Sequence, residues 1–368
     1  VLIVGAGISG IGAAHQLIEK CPGKRFVMLD TKESFGGTWR QHTYPGIRSD
    51  SDLYTFGYGF KPWTGKPIAS GEAILEYLEE VMEDDHIDQH IRYQHEVLTA
   101  SWSGDNQLWS ITAKRNDTGE EVHFTCNFLW MCQGYYRHSQ GYTPEWEGME
   151  SFKGPIVHPQ TWPEDLDYAG KRVLVIGSGA TAATLIPNMA DECSHITMLQ
   201  RSPTYFWTGE NRNELADQLR ELDVPEEWIH EIVRRSILKL AKDIQYLSAT
   251  QPEIIKEELF KVIREYLGVR YEAHVITPVA ASDNEASRPS ATGLRGNRPS
   301  RLYCTYALSL LLLLDLARCR CGTPFGPAHR IRTGDGFRIS ADRRADLESC
   351  LARFRSGQFR LSIGSRGR

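Results

Sequence analysis

VLIVGAGISGIGAAHQLIEK, residues 1–20, decides the fold. Its first four residues are apolar without alternation, which is how a strand buried on both faces reads. Glycines then replace side chains, and from Ile8 the apolar residues recur at helical spacing. Gly5, Gly7 and Gly10 form G-x-G-x-x-G at the strand-to-helix junction. Each glycine has its own reason: a tight turn, close backbone approach to a pyrophosphate, and close helix–strand packing. The helix N-terminus adds N–H groups and a favourable dipole for an anion. A second buried strand, KRFVMLD (24–30), ends in Asp30, 20 residues beyond Gly10, placed to accept from ribose hydroxyls. Strand, glycine turn, helix and acid in this register predict a dinucleotide-binding unit of a doubly wound parallel sheet.

The pattern recurs once. KRVLVIGSGATAATLIPNMAD (171–191) carries Gly177 and Gly179, with Ala180 and Thr181 opening the helix and Ala182 in place of a third glycine. Alanine is tolerated there because the position only limits helix packing. The next strand ends TMLQRS, so Arg201 and Ser202 stand where Asp30 stands in the first unit. A carboxylate would repel a 2′-phosphate, and a guanidinium with a hydroxyl binds one. The first cradle therefore reads as an FAD site and the second as an NADPH site. The fold class is α/β, with two tandem Rossmann-like domains, a helical insertion and an irregular C-terminal tail.

Between and after these units the chain offers coarser signals. ILEYLEEVMEDD (74–85) has helical spacing; HIRYQHEVLTASWS (90–103), QLWSITAKR (107–115) and EEVHFTCNFLWMCQG (120–134) each read as one strand. Residues 214–222, 226–244 and 252–268 read as helices, and a short apolar helix is expected near 305–317. No apolar run reaches the roughly 18 residues that cross a bilayer; LSLLLLLDLA (308–317) is interrupted by Asp315. Eight Cys occur without a CxxC and without metal-ligand spacing, which fits free thiols in a reducing cytoplasm and excludes a disulfide reductase. The start at VLIVGAG, inside a first strand, predicts that sequence precedes it.

Two linker stretches narrow the function. GGTWRQHTYPGIRSD (36–50) contains G-G-x-W, Y-P-G and a following Asp, and FKGPIVHPQTWP (152–163) contains Phe152, Gly154, His158, Trp162 and Pro163. Together they resemble the two fingerprints of the Baeyer–Villiger monooxygenases, class B flavoproteins, over residues 1–278. The related flavin-containing monooxygenases share the His and usually carry Tyr or Phe at the position of Trp162. The resemblance implies FAD reduction by NADPH, O2 uptake as a C4a-peroxide, and oxygen insertion into a ketone or oxidation of a sulfide or thioamide. It implies cofactor contacts from Gly37, Trp39, Tyr44, Asp50 and Val97, a catalytic role for Asp50 beside flavin and nicotinamide, and an interdomain-linker role for Phe152, Gly154, His158 and Trp162. It implies an FAD-binding domain at 1–150, an NADPH-binding domain at 151–207 and a helical insertion at 208–272. Competing readings are ordinary core packing for Trp39 and Tyr44, a turn cap for the nearby Asp52, and a satisfied structural role for His158.

Past residue 278 the resemblance stops. The family pattern H-F-x-P-x-Y-x-P-W-x-Q-R, which carries an Arg, is replaced by HVITPVAASDNEASRP (274–289). Residues 287–368 hold 16 Arg, no Lys and a net charge of +11 within a chain of net charge −5. The expectation is a divergent, frame-disrupted tail over 273–368 rather than a nucleic-acid arm, because Arg appears without Lys or ordered aromatics. Alternatives are an N- or S-oxygenase of the flavin-containing type and an inactive remnant that at most binds nucleotides.

Overall fold

A computed structural model describes residues 1–199 and 209–268. Arg201, Ser202, the tail from 273 and the helix expected near 305–317 lie outside the described residues. The described residues form two compact units, one of residues 1–50 and 68–199, the other of residues 51–67 and 209–268.

The first unit is built on a parallel sheet. Strands β1 (Leu2–Val4), β2 (Val27–Leu29), β3 (Ile91–Arg92) and β7 (Leu129–Met131) lie in the order β3-β2-β1-β7. Between β3 and β7, strands β4 (His95–Ser103), β5 (Leu108–Arg115) and β6 (Glu121–Cys126) make a separate antiparallel sheet. Leu2 and Leu29 pack against Ile111, Ala113 and Cys126 of that sheet. Ile3 and Met28, one residue out of phase, are fully buried on the opposite face. Burial on both faces is why β1 reads as an unbroken apolar run, and each such side chain contributes about 1.5–3 kcal/mol. Helix α1 (Ile8–Lys20) buries Ile11, Ala13, Ala14 and Leu17 and contacts β1.

Two expectations for strands need correction. The run 90–103 is two strands, parted at Tyr93–Gln94 where Gln94 takes φ 58°. The run 120–134 is also two, since the chain leaves the antiparallel sheet after Cys126 and joins the parallel one at Leu129. The loops of 36–68 contain short helices α2 (Thr38–Gln41) and α3 (Leu53–Phe56). Helix α4 (Gly71–Asp84) starts three residues earlier than its apolar pattern, where the Ser70 hydroxyl accepts from Ala73 N–H at 3.2 Å. It buries Ile74, Tyr77, Leu78, Val81 and Met82, the i, i+3, i+4, i+7, i+8 stripe of a core-facing helix.

Later in the same unit, β8 (Arg172–Ile176) pairs in parallel with β9 (His195–Leu199), joined by α5 (Ala180–Met189). Leu185 and Met189 of α5 pack with Tyr44, Ile47, Trp162, Tyr168 and Val173.

The second unit is helical: α6 (Glu214–Glu221), α7 (Glu226–Thr250) and α8 (Pro252–Leu267), with α3 against α7. Arg234 donates through Nη1 to the carbonyls of Tyr54, Thr55 and Gly57 at 2.8, 3.0 and 3.0 Å, closing the C-terminus of α3 with a cation. Asp52 closes its other end by accepting from Tyr54 N–H at 2.9 Å, the turn-cap role weighed for it above. Buried His230 accepts from Trp63 N–H through Nδ1 at 3.1 Å and faces the Tyr58 carbonyl through Nε2 at 3.2 Å.

Candidate functional site

The first glycine turn is shaped by main-chain crowding. Gly5 has φ 106°, and a Cβ there would stand 2.5 Å from the Cys132 carbonyl oxygen, because β7 runs beside β1. A Cβ on Gly10 would overlap the Gly5 carbonyl. Gly7 caps α1 without any side-chain cap, and Gly37 approaches it so closely that a Cβ on Gly37 would lie 3.1 Å from Gly7 Cα. Gly36 N–H donates to the Ala6 carbonyl at 3.0 Å and brings the first fingerprint over the turn. An uncapped helix end below two facing glycines is a cradle that side chains would fill, and it fits a pyrophosphate. Asp30 sits at the end of β2. Its oxygens accept from Ala6 N–H at 2.7 Å and Lys32 N–H at 2.8 Å, so it also braces the turn. A carboxylate accepts up to about four hydrogen bonds, which leaves capacity for ribose hydroxyls. Trp39 is half-buried in α2. Val97, on β4, packs against the Leu2–Leu29–Ile111 cluster.

The second turn has the same form and more room. Gly177 takes φ 123°, Gly179 caps α5 with no side-chain cap, and among the described residues a Cβ on either would meet nothing within 4 Å. Its opening residues touch the first fingerprint: buried Tyr44 lies beside the Thr181 side chain and within the fields of Arg48 and Asp50. The structure thus brings together Tyr44, Asp50 and Thr181 from the predicted set, with Arg48, which sequence reading missed. Beside them, His42 packs edge-on to Tyr44 with ring centroids 5.9 Å apart.

Arg48 and Asp50 form a buried pair. Side-chain exposure is 13% and 3%, and Arg48 Nε lies 3.7 Å from Asp50 Oδ1, an ion-pair distance too long for a hydrogen bond. Among the described residues, both Asp50 oxygens and Arg48 Nε and Nη2 lack a hydrogen-bond partner. Burial pushes the Asp50 carboxyl up to about 6, opposed by the Arg48 guanidinium. Unsatisfied buried atoms each cost about 1–3 kcal/mol, so a ligand offering donors and acceptors here would be favoured.

The second fingerprint is structural in its contacts. His158 caps a 3-10 turn (Pro159–Thr161), accepting from Gln160 N–H through Nδ1 at 3.2 Å. Buried Gln160 donates to the Arg137 carbonyl at 2.5 Å and accepts at its own carbonyl from Gln41 Nε2 at 3.3 Å, tying the linker to the first fingerprint. Trp162 meets Tyr168 edge-on, centroids 6.2 Å apart, inside the Tyr44–Leu185–Met189 cluster. Phe152 is largely exposed, with its ring against Gly154. A cleft of about 460 Å³ opens beside Trp162 and Tyr168, but Glu164, Asp167 and Glu192 line it, which suits no dinucleotide anion. Among the described residues there is no cluster able to hold a metal ion and no helix long and apolar enough to cross a membrane.

Two glycine cradles bridged by fingerprint residues define a class, and sequence comparison agrees. Residues 67–211 match the flavin-binding monooxygenase-like family and residues 3–78 the NAD(P)-binding Rossmann-like domain. Over this region the chain is similar to proteins named FAD-containing monooxygenases. It is similar to the FAD-containing monooxygenase EthA of Mycobacterium tuberculosis, 48% identical over 244 residues, 66% of this chain and 49% of the relative. To EthA of Mycolicibacterium smegmatis it is 44% identical over 269 residues, 73% of this chain and 54% of the relative. Among solved structures, cyclohexanone-bound cyclohexanone monooxygenase superposes with a TM-score of 0.53 at 30% identity, covering 65% of this chain and 44% of that one. The chain spans about half the length of the curated relatives it matches.

Proposed function

We propose that this protein is an FAD- and NADPH-dependent monooxygenase that transfers one atom of O2 to a ketone or to a sulfide or thioamide sulfur. The observation that carries this reading is the contact between Tyr44, beside Arg48 and Asp50, and Thr181 at the start of α5. A flavin-side fingerprint meeting a nicotinamide-side helix is what hydride transfer between the two cofactors requires, because that step needs near-contact geometry. FAD, when bound, supplies the two-electron acceptor and, once reduced, the centre that activates O2. Gly5, Gly7, Gly10 and Gly37 would cradle it and Asp30 would take its ribose. Gly177, Gly179, Ala180 and Thr181 would hold the NADPH pyrophosphate, with Arg201 and Ser202 on the 2′-phosphate. Asp50, beside both, would order and charge the site. Overall, NADPH, a proton, O2 and a ketone give NADP+, water and an ester, so electrons and oxygen atoms balance.

The test is to purify the chain, reconstitute it with FAD, record the flavin spectrum, and follow NADPH oxidation with and without a cyclic ketone, an aryl ketone or a thioamide. The expected result is bound flavin, substrate-stimulated NADPH oxidation, and a product heavier by one oxygen. Flavin binding with no oxygenated product would instead support a nucleotide-binding remnant, and no flavin binding would sink both.

A further inference from the structure

Arg48 belongs to neither glycine cradle, yet its backbone is held more firmly than a loop requires. Ser49 N–H donates to the Ala69 carbonyl and Gly71 N–H to the Ile47 carbonyl, each at 2.9 Å, framing an antiparallel bridge between Arg48 and Ser70. In such extended backbone, residues two apart project to the same side, so Arg48 and Asp50 are delivered together to one buried face. The guanidinium then stands 3.7 Å from the carboxylate, both side chains largely out of water. A buried carboxylate alone costs several kcal/mol, enough to make it take up a proton. Among the described residues, the other titratable group facing Asp50 is Tyr44; the neighbouring α5 contributes neutral Thr181, and Ile68, Ala69 and Ser70 carry no charge.

We propose that Arg48 is a positioning residue that holds Asp50 in place and keeps it ionised, so that Asp50 meets its ligands as a carboxylate and not as an acid. Its place at the cofactors rests on the function proposed above; the pairing itself does not. Without Arg48, the burial that already raises the Asp50 carboxyl would act unopposed. A carboxyl raised in the folded state binds more protons folded than unfolded over the window between the two midpoints. Stability therefore falls as pH rises from the ordinary carboxylate value of 3.8 to about 6, and this loss is complete above that. Asp50→Asn lacks the loss, so its melting temperature should pull ahead of the unaltered chain across that window and stop gaining near the upper edge.

The experiment compares melting temperatures of the chain, Asp50→Asn, Arg48→Met, Arg48→Met/Asp50→Asn and Arg48→Lys from about pH 4 to 9. With Arg48→Met as background, the upper edge should move up by at least about one pH unit, a tenfold change in proton affinity. Arg48→Lys should bring it back. If Arg48→Met is too unstable to melt cleanly, adding Asp50→Asn should restore the transition, because it removes the charge left unpaired. An edge that stays put, or a failure of rescue with destabilisation equal at every pH, overturns the proposal. An edge that moves in a chain that binds no flavin leaves the pairing intact and removes the function proposed above.

Discussion

A methyl group added to Gly5 or Gly10 would run into main-chain carbonyls, whereas one added to Gly177 or Gly179 would meet no atom of the described residues within 4 Å. The two turns share their letters and their uncapped helices. They differ in their surroundings. β1 lies between β2 and β7, and β7 carries the Cys132 carbonyl onto the turn. β8 pairs with β9 alone among the described residues, and Val173 of β8 packs into the side-chain cluster of Tyr44, Trp162, Leu185 and Met189. A glycine motif therefore records two separate demands, room for the chain and room for a ligand. In the first turn crowding adds to backbone conformation, whereas in the second Gly177 answers to its positive φ alone and Gly179 to neither.

The largest effect that would break this comparison is at Gly10. Because the obstructing Gly5 carbonyl is backbone, Gly10→Ala should cost about 3 kcal/mol, lowering Tm by roughly 6–12 °C. An unchanged melting curve would mean the first turn is no tighter than the second. Next comes Trp162→Ala, which should cost about 2 kcal/mol by opening a cavity under α5. If cavity-filling Trp162→Phe restores half or more of that loss, packing and not indole hydrogen bonding holds the second cradle. His158→Ala should cost about 1 kcal/mol, the usual worth of a helix cap. A loss several times larger, with stability otherwise intact on Gln160→Ala, would assign His158 more than its cap.

The smallest effect on stability sharpens the contrast most. Gly179 has φ −80°, open to any residue, so Gly179→Ala should leave stability within about 0.5 kcal/mol of the parent. On the proposed reading, NADPH affinity should nonetheless fall on the order of tenfold, because a methyl would occupy the pyrophosphate's place. Calorimetry of NADPH binding against a matched melt separates the two, and equal binding would argue that this turn does not hold the nucleotide.

Much of the first unit was legible because its signals are local. The unbroken apolar run of β1, the helical stripe of α1 and the acid closing β2 all sit within 30 residues. The split of 120–134 into two strands was not legible, since Asn127 and Phe128 offer no glycine or proline where the chain changes sheets. The same holds at Gln94, which takes a positive φ without being glycine. Asp50 was marked by its fingerprint, but Arg48 was not, because their shared face depends on a bridge to Ser70 that spacing alone cannot announce. Gln160 went unnoticed for a similar reason: its partners, Arg137 and Gln41, lie 23 and 119 residues away.

That bridge also sets how the first unit opens. The amides of Ser49 and Gly71 each donate across it, one from the fingerprint loop and one from the first turn of α4. Neither can exchange its proton with solvent unless the bridge parts, so the two should report a common opening free energy, larger than that of amides in exposed loops. The loop from Gly36 to Asp50 and the start of α4 are then one cooperative piece, released together or not at all.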